Sequence, residues 1–432
     1  MSYHLLRVLS VGLFTGLMLS CERQAKPAVG ATPPSALAKA KPVVLNPEQR
    51  TKVEEAARRW VEQINSGEAD KTLKDFDLPS LMKRTLDGIE VSAKIRSEVE
   101  SGMLASVPKT RESIAAQWSS GRARFLRIVD TEDGTVAKIR IDLENGGSSY
   151  LDLIPEMTPN GKVGIRDINN RSVGMLISES MRQALATILP KDQGLTGTFA
   201  KIFGATDSDE TSVKQAQEFM DAATKNPNRA PALYEKLPLA LKKVRGIYAI
   251  YLQVSQGAEE EYKKALEAGK KYFPKDPSLQ FLLVDHYYLA KDFAAANQCV
   301  EDTMKALGED GNLWSMRANL FKEMKQYDEA DEAYLKSIAI EPDIMNHHSI
   351  GAQIAVNRSD YAEAVNRLKV GNKAIDDFIV FSKDVSPELD AFIDSDEYKA
   401  YHAKVQEALE AKSQADQADP TNPAPEPESE EK

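Results

Sequence analysis

Between Val53 and Ile64 the apolar residues Val53, Ala56, Ala57, Trp60, Val61 and Ile64 return every three or four positions. That spacing gathers them on one stripe of an amphipathic helix. Asn46-Pro47 marks its start, because the Asn side chain can accept from free N–H groups and proline lacks an N–H that the first turn leaves unused. Weaker helical patterns follow over 79–86, 91–104 and 111–118. From Ala123 the period falls to two. Ala137, Ile139, Ile141 and Leu143 alternate with Val136, Lys138, Arg140 and Asp142, which predicts a strand with the first set in a core and the second largely in water. Arg124–Asp130, Ser149–Pro155 and Lys162–Ile168 read the same way, separated by Asp133-Gly134, Asn145-Gly146 and Asn160-Gly161. These dipeptides suit tight hairpins, whose central residues need positive φ. The sum is a four-stranded antiparallel meander closed by a helix over 176–189.

A longer period takes over downstream. Phe293, Tyr327 and Tyr361 stand 34 residues apart, as do Ala296, Ala330 and Ala364, and Pro274, Gly308 and Pro342. A period of this length with two helical stretches per unit resembles the tetratricopeptide repeat, a pair of antiparallel helices that stacks into a solenoid. The unit 311–344 carries the family pattern most fully, in Trp314, Ala318, Phe321, Tyr327, Ala330, Tyr334 and Pro342. The small residues let helices approach, Trp314, Phe321 and Tyr334 fill the space between hairpins, and Pro342 stops the second helix. Units 277–310 and 345–378 fit with losses, and 243–276 is the most degenerate. A further hairpin over 212–241 would make five, and a segment from Ser386-Pro387 to about Leu409 caps the last unit.

The resemblance implies a concave face, lined by the first helices, that takes an extended peptide or a partner helix. By the repeat period this face comprises Ile247, Tyr251, Phe281, Asp285, Tyr288, Ser315, Asn319, Lys322, Ser349 and Gln353. It is aromatic at one end and polar at the other. Family members that grip a C-terminal carboxylate use basic and Asn side chains; Asn319 and Lys322 match in type, whereas Asp285 opposes an acid. The expected partner is a protein of mixed apolar and polar surface.

Composition sets limits. Net charge is -11, so the protein as a whole would be repelled by nucleic acid and by anionic lipid. The two cysteines, Cys21 and Cys299, allow neither a disulfide framework nor a cysteine-rich metal site. Arg7 precedes an apolar run of 13 residues, Val8 to Ser20, directly before Cys21. The run is short for a membrane span and suits a signal peptide. Ser20-Cys21 resembles the lipobox of bacterial lipoproteins, although Met18 and Leu19 depart from its commonest form. The resemblance implies a signal peptide over 1–20, cleavage before Cys21 and a lipid on its sulfur, with 21–45 as a tether rich in Ala, Pro and Lys. The absence of Asp after the cysteine points to an outer membrane facing the periplasm in a cell with two membranes.

Catalytic chemistry is sparse. No phosphate-cradling glycine loop or nucleophile elbow occurs. Adjacent His347 and His348 point about 100° apart on a helix and cannot readily share a metal; they read as surface or inter-repeat residues. Helices followed by a curved antiparallel sheet resemble the ketosteroid-isomerase-like, or nuclear transport factor, fold, in which a pocket would draw attention to Trp60, Phe125, Tyr150, Asp152 and Asp167. The plainer expectation is that Trp60 is core and the aspartates belong to strand faces or turns. The sequence thus predicts an α+β domain over 46–200, an all-α tetratricopeptide-type solenoid over 211–410, and a disordered acidic tail over 413–432. Its expected role is a lipid-anchored scaffold for a protein partner, with no cofactor, no metal, no catalytic residue and an oligomeric state left open. The alternative is a small-molecule binding or isomerase-like activity in 46–200, with the repeats as docking module.

Overall fold

The computed structural model describes residues 43–418 apart from 87–92, 189–209, scattered positions between 94 and 120, and 132–133, 144–146, 159, 172–173 and 275. The expected signal peptide, Cys21, most of the expected tether, the Asn145-Gly146 dipeptide and the expected tail beyond 418 lie outside the described residues. The chain forms two compact units that divide between Ala290 and Lys291. The first helices of the array therefore belong to the same compact unit as the sheet.

In the first unit, α1 (Pro47–Asn65) opens with a capping box in which the Asn46 side chain accepts from Gln49 N–H and the Gln49 side chain accepts from Asn46 N–H. Short helices α2 (Ala69–Lys74) and α3 (Leu78–Leu86) follow, and the described positions between 93 and 119 are helical. Then come β1 (Gly121–Thr131), β2 (Gly134–Leu143), β3 (Ser148–Met157), β4 (Val163–Asn170), β5 (Met175–Leu176) and α4 (Ile177–Ile188). The sheet is an antiparallel meander in sequence order. Among the described residues it has five strands where the sequence predicts four, because Met175 and Leu176 pair with Asn170 and Asn169 before the helix begins.

Trp60 and Ile64 of α1 are fully buried, together with Ile139, Ile141, Leu151 and Leu153 of the sheet's apolar face. The other face departs from expectation. Lys138 and Arg140 are buried rather than solvated. Their charges are matched within the sheet: Lys138 Nζ lies 3.0 Å from Asp152 Oδ1, and Arg171 Nε donates to Asp152 Oδ2 at 2.6 Å. Arg140 grips Asp142 with two bonds, at 2.7 and 2.8 Å. Alternation along a strand separates faces; it does not say what covers each one.

The strand edges are partly closed. Ile165 N–H donates to Asp75 O at 2.8 Å and Asp77 N–H to Ile165 O at 3.2 Å, so the turn between α2 and α3 pairs with β4. On β1, the Asn65 carboxamide accepts from Ala123 N–H at 2.7 Å and donates to Ala123 O at 3.0 Å, filling the place of a neighbouring strand. Val43 forms a parallel bridge to Gly134, with Thr135 N–H donating to Val43 O at 3.0 Å. Gly134 has φ +100 and a Cβ there would come within 2.7 Å of Val43 O, so glycine is required twice over.

The helical part of this unit comprises α5 (Glu210–Lys225), a 3-10 turn (Pro227–Arg229), α6 (Ala230–Tyr234), α7 (Leu239–Lys242), α8 (Arg245–Ser255), α9 (Glu259–Tyr272) and α10 (Pro277–Leu289). Helix α8 is buried along nearly its whole length, as an all-round apolar helix must be.

The second unit holds α11 (Phe293–Leu307), α12 (Gly311–Glu323), α13 (Tyr327–Ile340), α14 (Met345–Asn357), α15 (Tyr361–Ile375), α16 (Pro387–Ile393) and α17 (Asp396–Ala418). Lys325 and Ser359, 34 residues apart, turn the chain between first and second helices with φ of 60° and 59°, and Lys291 has φ 58° at the equivalent position. The bonds from Gln326 N–H to Phe321 O and from Asp360 N–H to Ala355 O, both 2.9 Å, close these turns as Schellman motifs. Ala318 and Ala330 have no exposed surface, which is what lets α12 and α13 approach closely. Helices α16 and α17 cap the stack: Phe392, Tyr398, Tyr401 and Val405 join Ala352, Ala355 and Leu368 in one core. Helix α17 continues to Ala418, into the stretch read as tail.

Candidate partner-binding face

Helix periodicity does bring the ten residues of the expected face onto first helices, but most of them are not open. In the first unit Ile247, Tyr251 and Phe281 are buried. The Tyr251 ring stacks on Tyr234 with centroids 3.8 Å apart and planes at 11°. Phe281 meets the edge of Tyr150, on the polar face of β3, at 5.3 Å. Asp285 is buried and accepts from the Tyr262 hydroxyl at 3.1 Å. Burial pushes its carboxyl well above the usual carboxylate range, with the Tyr262 bond opposing only in part. Tyr288 alone at this end keeps partial exposure. The aromatic end of the face is thus occupied by the chain's own side chains, a correction to its expected role as an open contact surface.

The polar end lies in the second unit. Ser315, Asn319 and Lys322, successive on one side of α12, are buried, while Ser349 and Gln353 of α14 are half-buried. Lys322 Nζ donates to Gln353 Oε1 at 2.9 Å and sits 3.3 Å from Glu323 Oε1. Burial lowers its pKa, offset in part by Glu323. With its ammonium already bonded, Lys322 has little left to offer a carboxylate, and the clamp that its type suggested is not set out for a ligand.

The packing residues of the clearest unit take distinct roles. Tyr334 of α13 lies against Gly351 of α14, where a Cβ would come within 2.4 Å of its ring. The Arg367 guanidinium covers the same ring at 5.0 Å and bonds Asp331 at 2.5 Å and Glu363 at 2.7 Å. Trp314 is not enclosed between apolar neighbours alone: Lys336 and Arg317 approach its ring at 4.2 and 5.1 Å, and its Nε1–H donates to Glu309. Phe321 is half-buried beneath Arg317, 5.2 Å away. Pro342 is exposed, and its carbonyl accepts from His348 Nε2 at 2.7 Å. His347 Nδ1 likewise bonds Glu341 O at 3.1 Å. Both histidines are buried and knit the junction between α13 and α14. The sequence signal for Gly351, a glycine inside a helical pattern, was available and is read as a packing position only once Tyr334 is seen against it.

In the α+β region, Trp60 donates to Asp75 Oδ2 at 2.7 Å from a fully buried ring, and Arg58 covers Phe125 at 4.6 Å. Asp167 is buried and accepts from Ser178 Oγ at 2.5 Å and Ile168 N–H at 2.9 Å. Burial raises its pKa against those bonds and against Arg84, 3.9 Å away. Asp152 is held between Lys138 and Arg171. These carboxylates are engaged in the scaffold of the sheet. Among the described residues no cluster of His, Cys, Asp and Glu could hold a metal.

The fold is an α+β domain followed by an all-α solenoid of tetratricopeptide-like hairpins. No family model matches the chain, and no curated protein matches it. Among solved structures, a crystal structure of MamA protein is similar at 16% identity, covering 38% of this chain and 93% of MamA, with a TM-score of 0.32. A second structure, MamA AMB-1, is similar at 16% identity over 43% of this chain and 98% of its own, with a TM-score of 0.31.

Proposed function

We propose that the protein is a cell-envelope lipoprotein, anchored through Cys21, that holds another protein on its helical repeats and performs no catalysis. The observation that carries the interaction reading is the 34-residue register of helix pairs and left-handed turns, because such arrays present long continuous surfaces to partners. With much of the first-helix face filled, the outer face of the second helices is the available ground. There Leu335 and Ile340 on α13 and Val370 on α15 are 57%, 48% and 49% exposed. The domain over 46–200 supplies a second contact surface.

The anchor reading rests on the run from Val8 to Ser20 and on Ser20-Cys21. Two or more acyl chains at one cysteine hold a soluble domain stably at a bilayer, and the outer membrane facing the periplasm is the proposed place. Replacement C21A should move the protein from the membrane to the soluble fraction and abolish incorporation of labelled palmitate; retention on the membrane would overturn the anchor. For the interaction, crosslinking in intact cells followed by mass spectrometry should recover a protein joined to the repeats, preferentially through Lys336 or Lys369. Recovery of nothing beyond a tag-only control would sink it.

A further inference from the structure

The connection from α15 to α16 is longer than the array needs. Residues 341–344 suffice between α13 and α14, whereas 376–386 join α15 to α16. Part of that excess is held by side chains of the flanking helices. Asn372 Oδ1 accepts from Ile379 N–H at 2.9 Å, and the Tyr401 hydroxyl donates to Ile379 O at 2.6 Å. Two residues on, the Tyr398 hydroxyl accepts from Phe381 N–H at 2.7 Å and donates to Phe381 O at 3.2 Å. Ile379 is buried in the core under the capping helices, and Phe378 and Phe381 pack against that core.

Ile379 and Phe381 therefore turn both backbone groups to one edge, as alternate residues of an extended strand do. The same alternation turns Val380 and Ser382 to the other edge. Among the described residues the backbone of neither makes a hydrogen bond. Val380 is 51% exposed and Ser382 is exposed as well. An unpaired strand edge is a template for a further strand. The tyrosine bonds hold this one in place beforehand, so a partner would not have to order it.

Its surroundings select by charge. Residues 376–397 carry eight acidic side chains and one lysine. That lysine, Lys383, is taken up by Asp394, with bonds of 2.6 and 2.8 Å. Asp377 and Asp384, which flank the strand, and Glu388 at the start of α16 are exposed and form no ion pair among the described residues. A second copy of the chain would bring the same acids against these, and like charges across a strand pair destabilise it. A segment rich in lysine or arginine is drawn to them instead.

From this geometry we infer that the outer edge of 378–382 is a docking strand for an extended, basic segment of a partner protein, which adds to it through the backbone of Val380 and Ser382. Main-chain bonds supply the attachment and the surrounding acids choose the sequence, the division of labour of strand addition.

A labelled synthetic peptide of alternating lysine and valine, blocked at both ends, is the probe, and fluorescence anisotropy with the full chain is the measurement. The peptide should bind saturably. The same peptide N-methylated along its backbone, which cannot donate, should bind at least about tenfold more weakly, as should a counterpart with glutamate in place of lysine. V380P removes one outward N–H that has no partner within the chain, and S382P the other; each folded variant should lose affinity for the unmodified peptide by about tenfold. No binding of the lysine peptide, or undiminished binding after methylation or in a folded proline variant, would show at most charge attraction and would overturn the inference. Equal binding of the glutamate peptide would overturn the choice of a basic partner. So would sedimentation showing that the chain pairs with itself and that V380P separates the copies. These outcomes are independent of crosslinking in cells, so failure of one reading is distinguishable from failure of the other.

Discussion

Asp285 shows how a single carboxyl ties the fold to pH. It is enclosed on α10, where it accepts from the Tyr262 hydroxyl, and burial raises its pKa. Below about pH 4, the ordinary carboxylate range, folded and unfolded chains both hold the proton and the site contributes fully to stability. As pH rises, the unfolded chain gains by ionising while the folded chain does not, so stability falls until the folded group itself gives up its proton. D285N keeps an acceptor for Tyr262 and removes the ionisation. It should raise Tm at pH 8 by roughly 2–4 °C and flatten the pH dependence of Tm between about 5 and 8. A Tm that drops at every pH would mean that Asp285 is charged in the folded protein and held by a cation.

At the scale of elements, the turns and crossings of the array make opposite demands on glycine. Lys325 and Ser359 adopt the left-handed conformation that a Cβ disfavours, so S359G should stabilise the protein by about 0.5–1 kcal/mol, read as a higher urea midpoint at unchanged m. A lower midpoint would show that the serine side chain contributes more than its backbone strain costs. Gly351 is the converse case, since the Tyr334 ring against it is backed by Arg367 and has little freedom to retreat. G351A should cost about 1–3 kcal/mol by overpacking. Gly257, with nothing within 4 Å of its would-be Cβ, is the control, and G257A should fall within about 0.5 kcal/mol of the parent protein.

Across the whole molecule, what could be read from the sequence was local or periodic. The capping residues Asn46 and Ser386, the alternation on β2 and the burial of Ala318 and Ala330 all follow from spacing alone. Contacts between residues far apart in the chain did not. Nothing in the neighbourhood of Arg140 says that its face will be covered, and nothing around Phe281 says that Tyr150 will lie against it. The aromatic end of the expected partner face is filled for the same reason, since side chains that suit a ligand suit the chain's own Tyr150 and Tyr234 equally well. Gly351 and Tyr334 fall between these cases, on consecutive helices, legible in type and not in consequence.

The bridge at Val43 has a mechanical consequence. Tension applied to the chain ahead of Val43 is met first by the bond from Thr135 N–H to Val43 O and then by the bond from Leu45 N–H to Thr135 Oγ1, each 3.0 Å long. One bridged residue carries load bond by bond, as a zipper does, whereas a longer paired strand would share it in shear. The next points to bear load are the Arg50 bond to Leu45 O at 3.3 Å and the capping box at Asn46. A pull from a surface would thus unfasten three residues before it strained α1, giving the folded part a short extensible leader that yields early and re-forms when slack returns.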